Sequence, residues 1–159
     1  FLRGKRNYVV SGTHGKTTTS SMLAWLFLSA GRDPGWMIGG LPKNLGRGAQ
    51  FTDSEFNVLE GDEYDTAFFD KRAKFLLYRP QTLIINNLEF DHADIYPDLE
   101  AITRQFHQLI RSVPANGRLV VPAADANVTA LLQRGCWPPR DRCSVRAGRH
   151  SNPARSGTS

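Results

Sequence analysis

The sequence predicts an α/β fold, a mostly parallel sheet flanked by helices in a three-layer sandwich. Short, largely apolar runs predict the strands: Tyr8-Val9-Val10, Phe56-Asn57-Val58-Leu59, Thr82-Leu83-Ile84-Ile85 and Leu119-Val120-Val121. Strands buried on both faces read this way. Helix-length segments alternate with them, as helical crossovers between parallel strands require. Three polar segments, 12–18, 60–63 and 86–94, follow these runs at their carboxyl ends. Open parallel sheets gather their ligands at that edge.

Taken in order, Tyr8-Val9-Val10 is a strand that ends in the glycine-rich turn Gly12 to Gly15. Thr18 to Ala30 is a helix that Gly31 stops. Its apolar residues, among them Met22, Leu23, Trp25, Leu26, Phe27 and Leu28, go nearly all round, which predicts burial on several sides. Trp36-Met37-Ile38 is a short strand, and the four glycines and one proline of 39–50 make that stretch a loop. Phe56 to Leu59 is a strand leading into Glu60-Gly61-Asp62-Glu63. Ala67 to Leu77 is expected to be partly helical. Thr82 to Ile85, bounded by Pro80 and Asn86-Asn87, is a further strand. A loop follows over 88–96. Then comes an amphipathic helix carrying Leu99, Ile102, Phe106, Leu109, Ile110 and Val113 at steps of three and four. Leu119 to Val121 and Ala126 to Gln133 complete the pattern as strand and helix, the latter ending near Gly135.

Composition narrows the partners. The 159 residues carry 20 Lys+Arg and 15 Asp+Glu, a net charge of +5. Residues 1–133 hold 14 of each, so six arginines and Asp141 in 134–159 supply the whole excess. The chain is therefore expected to form one domain over 1–133, followed by a basic, disordered tail over 134–159. With the domain itself neutral, no nucleic-acid partner is expected. There is no apolar run of about 18 residues, so no membrane span is expected. Two cysteines, Cys136 and Cys143, make neither a disulfide framework nor a zinc site, which points to a reducing, cytoplasmic compartment.

Gly12-Thr13-His14-Gly15-Lys16-Thr17-Thr18 lies between a strand and a helix. Glycines let backbone N–H groups turn toward one point, and a helix N-terminus adds partial positive charge there. This is the chemistry of a phosphate-binding loop, with Lys16 for the outer phosphates and the Thr17 hydroxyl for Mg²⁺. Val10 stands where the general Walker pattern has its first glycine, so the loop is a shorter variant. Glu60, nearest the strand end, is the expected carboxylate ligand for Mg²⁺. On its own, the segment could equally be a solvated acidic turn. His92, flanked by Asp91 and Asp94, could ligate a second metal as a neutral imidazole, although a single loop histidine is more often structural. Asn44 could donate to a phosphate or a substrate carboxylate, and His107 is expected to pack. If 60–65 and 86–94 were ordinary loops, the chain would instead be a P-loop kinase or NTPase switch; a third alternative is a folded ATP-binding fragment without catalysis.

Four segments together resemble one family: 12–18, Gly39-Gly40 with Asn44, Glu60-Gly61-Asp62-Glu63-Tyr64-Asp65, and Asn87-Leu88-Glu89-Phe90-Asp91-His92-Ala93-Asp94. They look like the central ATP-binding domain of the Mur ligases, bacterial cytoplasmic enzymes that form amide bonds in peptidoglycan synthesis. The resemblance implies a P-loop sandwich binding ATP through 12–18. Lys16 would hold the γ-phosphate, Thr17 and Glu60 a Mg²⁺, and His92 a second Mg²⁺, with Asn44 near the substrate carboxylate. Thr13-His14 and the Glu-x-Asp-Glu segment are similar to the branch that acts on UDP-N-acetylmuramate. Asp65-Thr66-Ala67-Phe68-Phe69-Asp70-Lys71-Arg72 is similar to its recycling members, which join L-alanyl-γ-D-glutamyl-meso-diaminopimelate to that sugar nucleotide. Members that add L-alanine are the close alternative. Both substrates would require N- and C-terminal domains outside this sequence, so this stretch is not expected to be active by itself. Relatives often carry alanine where Gly61 stands, a difference expected to be harmless. Some carry a carbamylated lysine that Thr103 to His107 lacks, as the resemblance to the muramate branch implies.

Overall fold

A computed structural model of the chain describes residues 2–62, 65–67, 70–73, 77–89 and 99–144. Its strands are β1 (Arg6–Ser11), β2 (Gly35–Met37), β3 (Ala49–Gln50), β4 (Phe56–Glu60), β5 (Asp65–Ala67), β6 (Asp70–Ala73), β7 (Thr82–Ile85), β8 (Arg118–Pro122) and β9 (Arg140–Cys143). The helices are α1 (Lys16–Ser29), α2 (Leu99–Ser112) and α3 (Ala126–Gln133). Seven strands form one sheet in the order β3-β2-β4-β1-β7-β8-β9. Every pairing in it is parallel except β2 with β3.

Alternation along the strands sorts the core onto two faces. Tyr8 registers with Val58, and Val9 with Leu59. Tyr8, Val58, Trp36 and Ile38 meet Ala24, Leu23, Phe27 and Leu28 of α1 on one side. Val9, Leu59, Leu83, Ile85, Leu119 and Val121 lie in the larger cluster with Phe106, Leu109 and Ile110 of α2 and Val128 and Leu131 of α3. A sheet between two helical layers is the predicted sandwich. Asn57, a polar residue within an apolar run, is fully buried beside its register partner Asn7 and donates to the Asn7 Oδ1 at 3.1 Å. Asn7 in turn donates to the Tyr78 carbonyl at 3.1 Å. Glu100 of α2 accepts hydrogen bonds from both terminal guanidinium nitrogens of Arg134, tying α2 to the end of α3.

Four expectations are corrected. Helix α1 is not buried on several sides: Met22, Trp25 and Leu26 are 59%, 49% and 54% exposed, while Ser20, Ser21 and Ala24 are buried. An all-round apolar pattern specifies no facing side, and the small residues let the helix axis approach the sheet closely. Within Ala67 to Leu77, expected to be partly helical, Ala67 and Asp70–Ala73 belong instead to the antiparallel pair β5–β6, because backbone pairing overrides a weak local preference. The loop over 39–50 contains the two-residue β3, paired with β2. Finally, the expected disorder after 133 fails at Arg140–Cys143, which form β9 on the sheet edge beside β8. Edge strands are held by main-chain hydrogen bonds and tolerate charge, so this one has no apolar pattern to read. Arg118 and Asp141 pair across it at 2.7 Å. Of the expected tail, only residues 145–159 lie outside the described residues.

Candidate functional site

Strand order creates the site. The chain leaves β1 through α1 toward β2 and β4 on one side, then returns to β7 on the other. A parallel sheet opens a crevice at such a reversal, beyond the strands' carboxyl ends. The loop after β1 is seated directly on the loop after β7. The Asn86 N–H donates to the Ser11 carbonyl at 2.9 Å, and the Thr13 N–H donates to the Asn87 carbonyl at 3.2 Å. Asn87 Oδ1 accepts from the His14 N–H at 2.8 Å. Asn86 Nδ2 donates to the His14 carbonyl at 3.2 Å and to the Thr19 hydroxyl at 3.1 Å. Gly12 makes this seating possible. Its φ is 130°, and a Cβ there would lie 3.0 Å from both Asn87 N and Asn87 O.

Lys16 opens α1, and its Nζ donates to the carbonyls of Gly12 at 2.8 Å and Thr13 at 3.2 Å. Gly15 precedes the helix with no side-chain cap. A helix start without a side-chain cap is where an anion site can form. The exposed Thr17 hydroxyl donates to Glu60 Oε1 at 2.9 Å, linking positions 43 residues apart. Glu60 Oε2 accepts from the Gly39 N–H at 2.8 Å. One carboxylate is therefore held from two sides, with its oxygens beside a hydroxyl. Oxygen donors of this kind suit a hard divalent cation. Nearby, Asp62 Oδ1 is buried and makes no hydrogen bond among the described residues. The donor set and this unsatisfied oxygen fit Mg²⁺ at this point.

Thr18 is exposed on the first turn of α1. The Thr13 side chain is buried and turned to the β7 loop: its Oγ1 donates to the Glu89 carbonyl at 3.0 Å and accepts from the Glu89 N–H at 2.8 Å. Its contribution to the loop is thus structural. The His14 ring lies 3.6 Å from the Glu89 carboxylate at the surface. Asn44 donates to the Ser21 carbonyl on α1 at 3.3 Å, fixing the loop after β2 to that helix. His92, Asp91 and Asp94 lie outside the described residues.

Two residues that sequence reasoning passed over hold the root of the histidine loop. Asp125 caps α3, its Oδ1 accepting from the Val128 N–H at 2.9 Å, while its Oδ2 accepts from the Leu88 N–H at 3.2 Å. Asn127 Nδ2 donates to the Leu88 carbonyl at 2.7 Å. The Asp at a helix start was a readable cap signal. That its second oxygen reaches back 37 residues was not.

A glycine-rich turn between a central parallel strand and a helix beginning Lys-Thr, faced by a strand-end glutamate, defines the class: a P-loop α/β domain. The chain belongs to the Mur ligase family; the family model described as the Mur ligase middle domain matches residues 10–137. It is 51% identical over 140 residues to UDP-N-acetylmuramate–L-alanyl-gamma-D-glutamyl-meso-2,6-diaminoheptandioate ligase of Escherichia coli strain K12, covering 88% of this chain and 31% of that protein. The crystal structure of the ligase with the corresponding name from Neisseria meningitides superposes with a TM-score of 0.84 at 50% identity, covering 89% of this chain and 46% of that one. UDP-N-acetylmuramate–L-alanine ligase of Salinispora arenicola is 39% identical over 132 residues, covering 83% of this chain and 24% of that protein. The chain thus spans less than a third of the length of these curated relatives. Among the described residues no helix is long and apolar enough to cross a membrane.

Proposed function

We propose that this chain is the nucleotide-binding domain of an ATP-dependent ligase of bacterial peptidoglycan recycling. In that reaction the carboxylate of UDP-N-acetylmuramate attacks the γ-phosphorus of ATP. The amine of L-alanyl-γ-D-glutamyl-meso-diaminopimelate then displaces the phosphate to form the amide. The observation that carries this reading is the 2.9 Å contact between Thr17 and Glu60, which joins the phosphate loop to the end of β4. The tripeptide is favoured over L-alanine as the acceptor by the 51% identity to the tripeptide ligase, against 39% to the L-alanine ligase.

Two anions must meet, so charge neutralisation is the main task. Lys16 and the uncapped start of α1 meet the outer phosphates. Lys16 would exchange its hydrogen bonds to Gly12 and Thr13 for phosphate oxygens as the nucleotide enters. Thr17 and Glu60 would hold Mg²⁺, which supplies Lewis-acid stabilisation of the transferred phosphoryl group. The Gly39 N–H keeps Glu60 turned toward the crevice. His92 remains the proposed ligand of a second cation, and Asn44 orients the loop after β2 against α1. The acceptor and the sugar nucleotide would be bound by parts of a longer protein, as in a three-domain ligase.

Isothermal titration with ATP in Mg²⁺ tests the reading. The wild-type chain is expected to bind, and Lys16→Ala to bind at least tenfold more weakly, the loss of one charge-assisted contact of about 1.5–3 kcal/mol. Equal binding by the two, or none by wild type, removes the nucleotide site.

A further inference from the structure

Beside Glu60 lies a cleft of about 240 Å³ that the phosphate-loop pattern does not account for. Met37, Ile38 and Gly39 from the end of β2 form one wall; Glu60, Asp62 and Tyr78 form the other. Asp62 follows Glu60 by two positions, so both carboxylates reach the same cleft from one strand end. Asp62 Oδ1 is buried without a hydrogen bond. Tyr78 is only 9% exposed, its ring packed in the larger core cluster, and it lines the same cleft. A buried carboxylate oxygen left unsatisfied at a cleft is costly unless something polar reaches it. The partner must donate hydrogen bonds to the carboxylate, and it must be small. An anion is excluded by the two carboxylates, and a large apolar group leaves the Asp62 oxygen unmet. Water held on a cation meets both conditions, since Mg²⁺ usually retains several of its waters.

We propose that Asp62 is a positioning residue for the divalent cation at Thr17 and Glu60, accepting hydrogen bonds from the cation's water shell, with the Tyr78 hydroxyl closing the same shell from the core side. The proposal rests on the reading of Thr17 and Glu60 as cation ligands. It adds a carboxylate that never touches the metal but orients what does. Partners of this kind typically change metal affinity by ten- to a hundredfold when removed.

The test is Mn²⁺ binding to the 159-residue chain in the presence of ADP, read by electron paramagnetic resonance, paired with thermal unfolding of the metal-free chain. Asp62→Asn is expected to weaken Mn²⁺ binding about tenfold. It should leave the metal-free melting temperature unchanged or raised, because a neutral amide is cheaper to bury than an unpaired charge. Tyr78→Phe should weaken binding by a smaller factor. A structural role for Asp62 gives the opposite pattern, a lower melting temperature with unchanged Mn²⁺ affinity, and overturns the proposal. Glu60→Gln separates the two readings. If wild type binds Mn²⁺, Glu60→Gln does not and Asp62→Asn binds as wild type, the cation site stands and the role of Asp62 falls. If wild type binds no Mn²⁺, both fall.

Discussion

A methyl group at Gly61 would lie 2.9 Å from Val9 Cγ1 and 3.2 Å from Ser11 Cβ and the Val10 carbonyl. The residue is locked there by the Gly61 N–H donating to the Val10 carbonyl at 2.7 Å and the Ser11 hydroxyl donating to the Gly61 carbonyl at 2.8 Å. An alanine at this position would therefore be crowded by this chain's own Val9. Gly61→Ala should lower stability by about 1–3 kcal/mol through overpacking. Combined with Val9→Ala, which removes the nearest atom, it should be much less harmful than the sum of the two single changes. Urea unfolding of all four members of the double-mutant cycle measures this; simple additivity would show that the contact is relaxed elsewhere. At this scale the sequence pointed to Thr17 and Glu60 as one group, and the structure brings them into contact, because the phosphate-loop spacing and the strand-end acid are local patterns. It did not disclose that Thr13 is turned away to Glu89, since that hydrogen bond joins residues 76 apart.

Among the elements, α3 does more than cover the sheet. Its capping residue Asp125 divides its two oxygens between Val128 and Leu88. Asp125→Ala should remove about 1 kcal/mol of cap and leave the Leu88 N–H unpaired at a further ~1–3 kcal/mol. Asp125→Asn keeps one accepting oxygen and should recover the cap but not the hold on Leu88. Hydrogen exchange distinguishes the effects: protection at the Leu88 amide should fall in both variants, while protection through 126–133 should fall only in the alanine variant. The elements also show where sequence patterns stop being informative. Of the positions chosen at steps of three and four, Ile102, Phe106, Leu109 and Ile110 on α2 and Val113 just beyond it are nearly solvent-free. In α1 the apolar residues go all round, so periodicity carries no direction, and three small residues decide which side meets the sheet. Strand β9 is exposed at all four positions and held by its backbone pairing to β8, which leaves no side-chain period to detect.

For the molecule as a whole, the parallel order of the sheet was legible because apolar runs alternate with helices, and the crevice followed from that order. The edges were not legible, because β3 and β9 depend on main-chain pairing rather than on apolar burial. Stability should respond to alkali through Tyr78. Burial first, then the nearby Asp62 and Glu60 carboxylates, raise its phenol above the usual value of 10.0. A group whose pKa is higher in the folded state stabilises fully below the unfolded value and loses that contribution as pH rises through the folded one. Metal-free wild type should therefore lose stability above about pH 10, and Tyr78→Phe should lose less over the same range, as urea titrations at stepped pH would show. Equal slopes would mean that the phenol ionises as freely in the native chain as in the unfolded one. The amine of Lys16 is already satisfied by two carbonyls of its own turn. An arriving triphosphate therefore meets a cation that is latched rather than dangling, and must undo the latch to be grasped; part of the attraction is spent before any is felt, while the turn keeps its shape between visits.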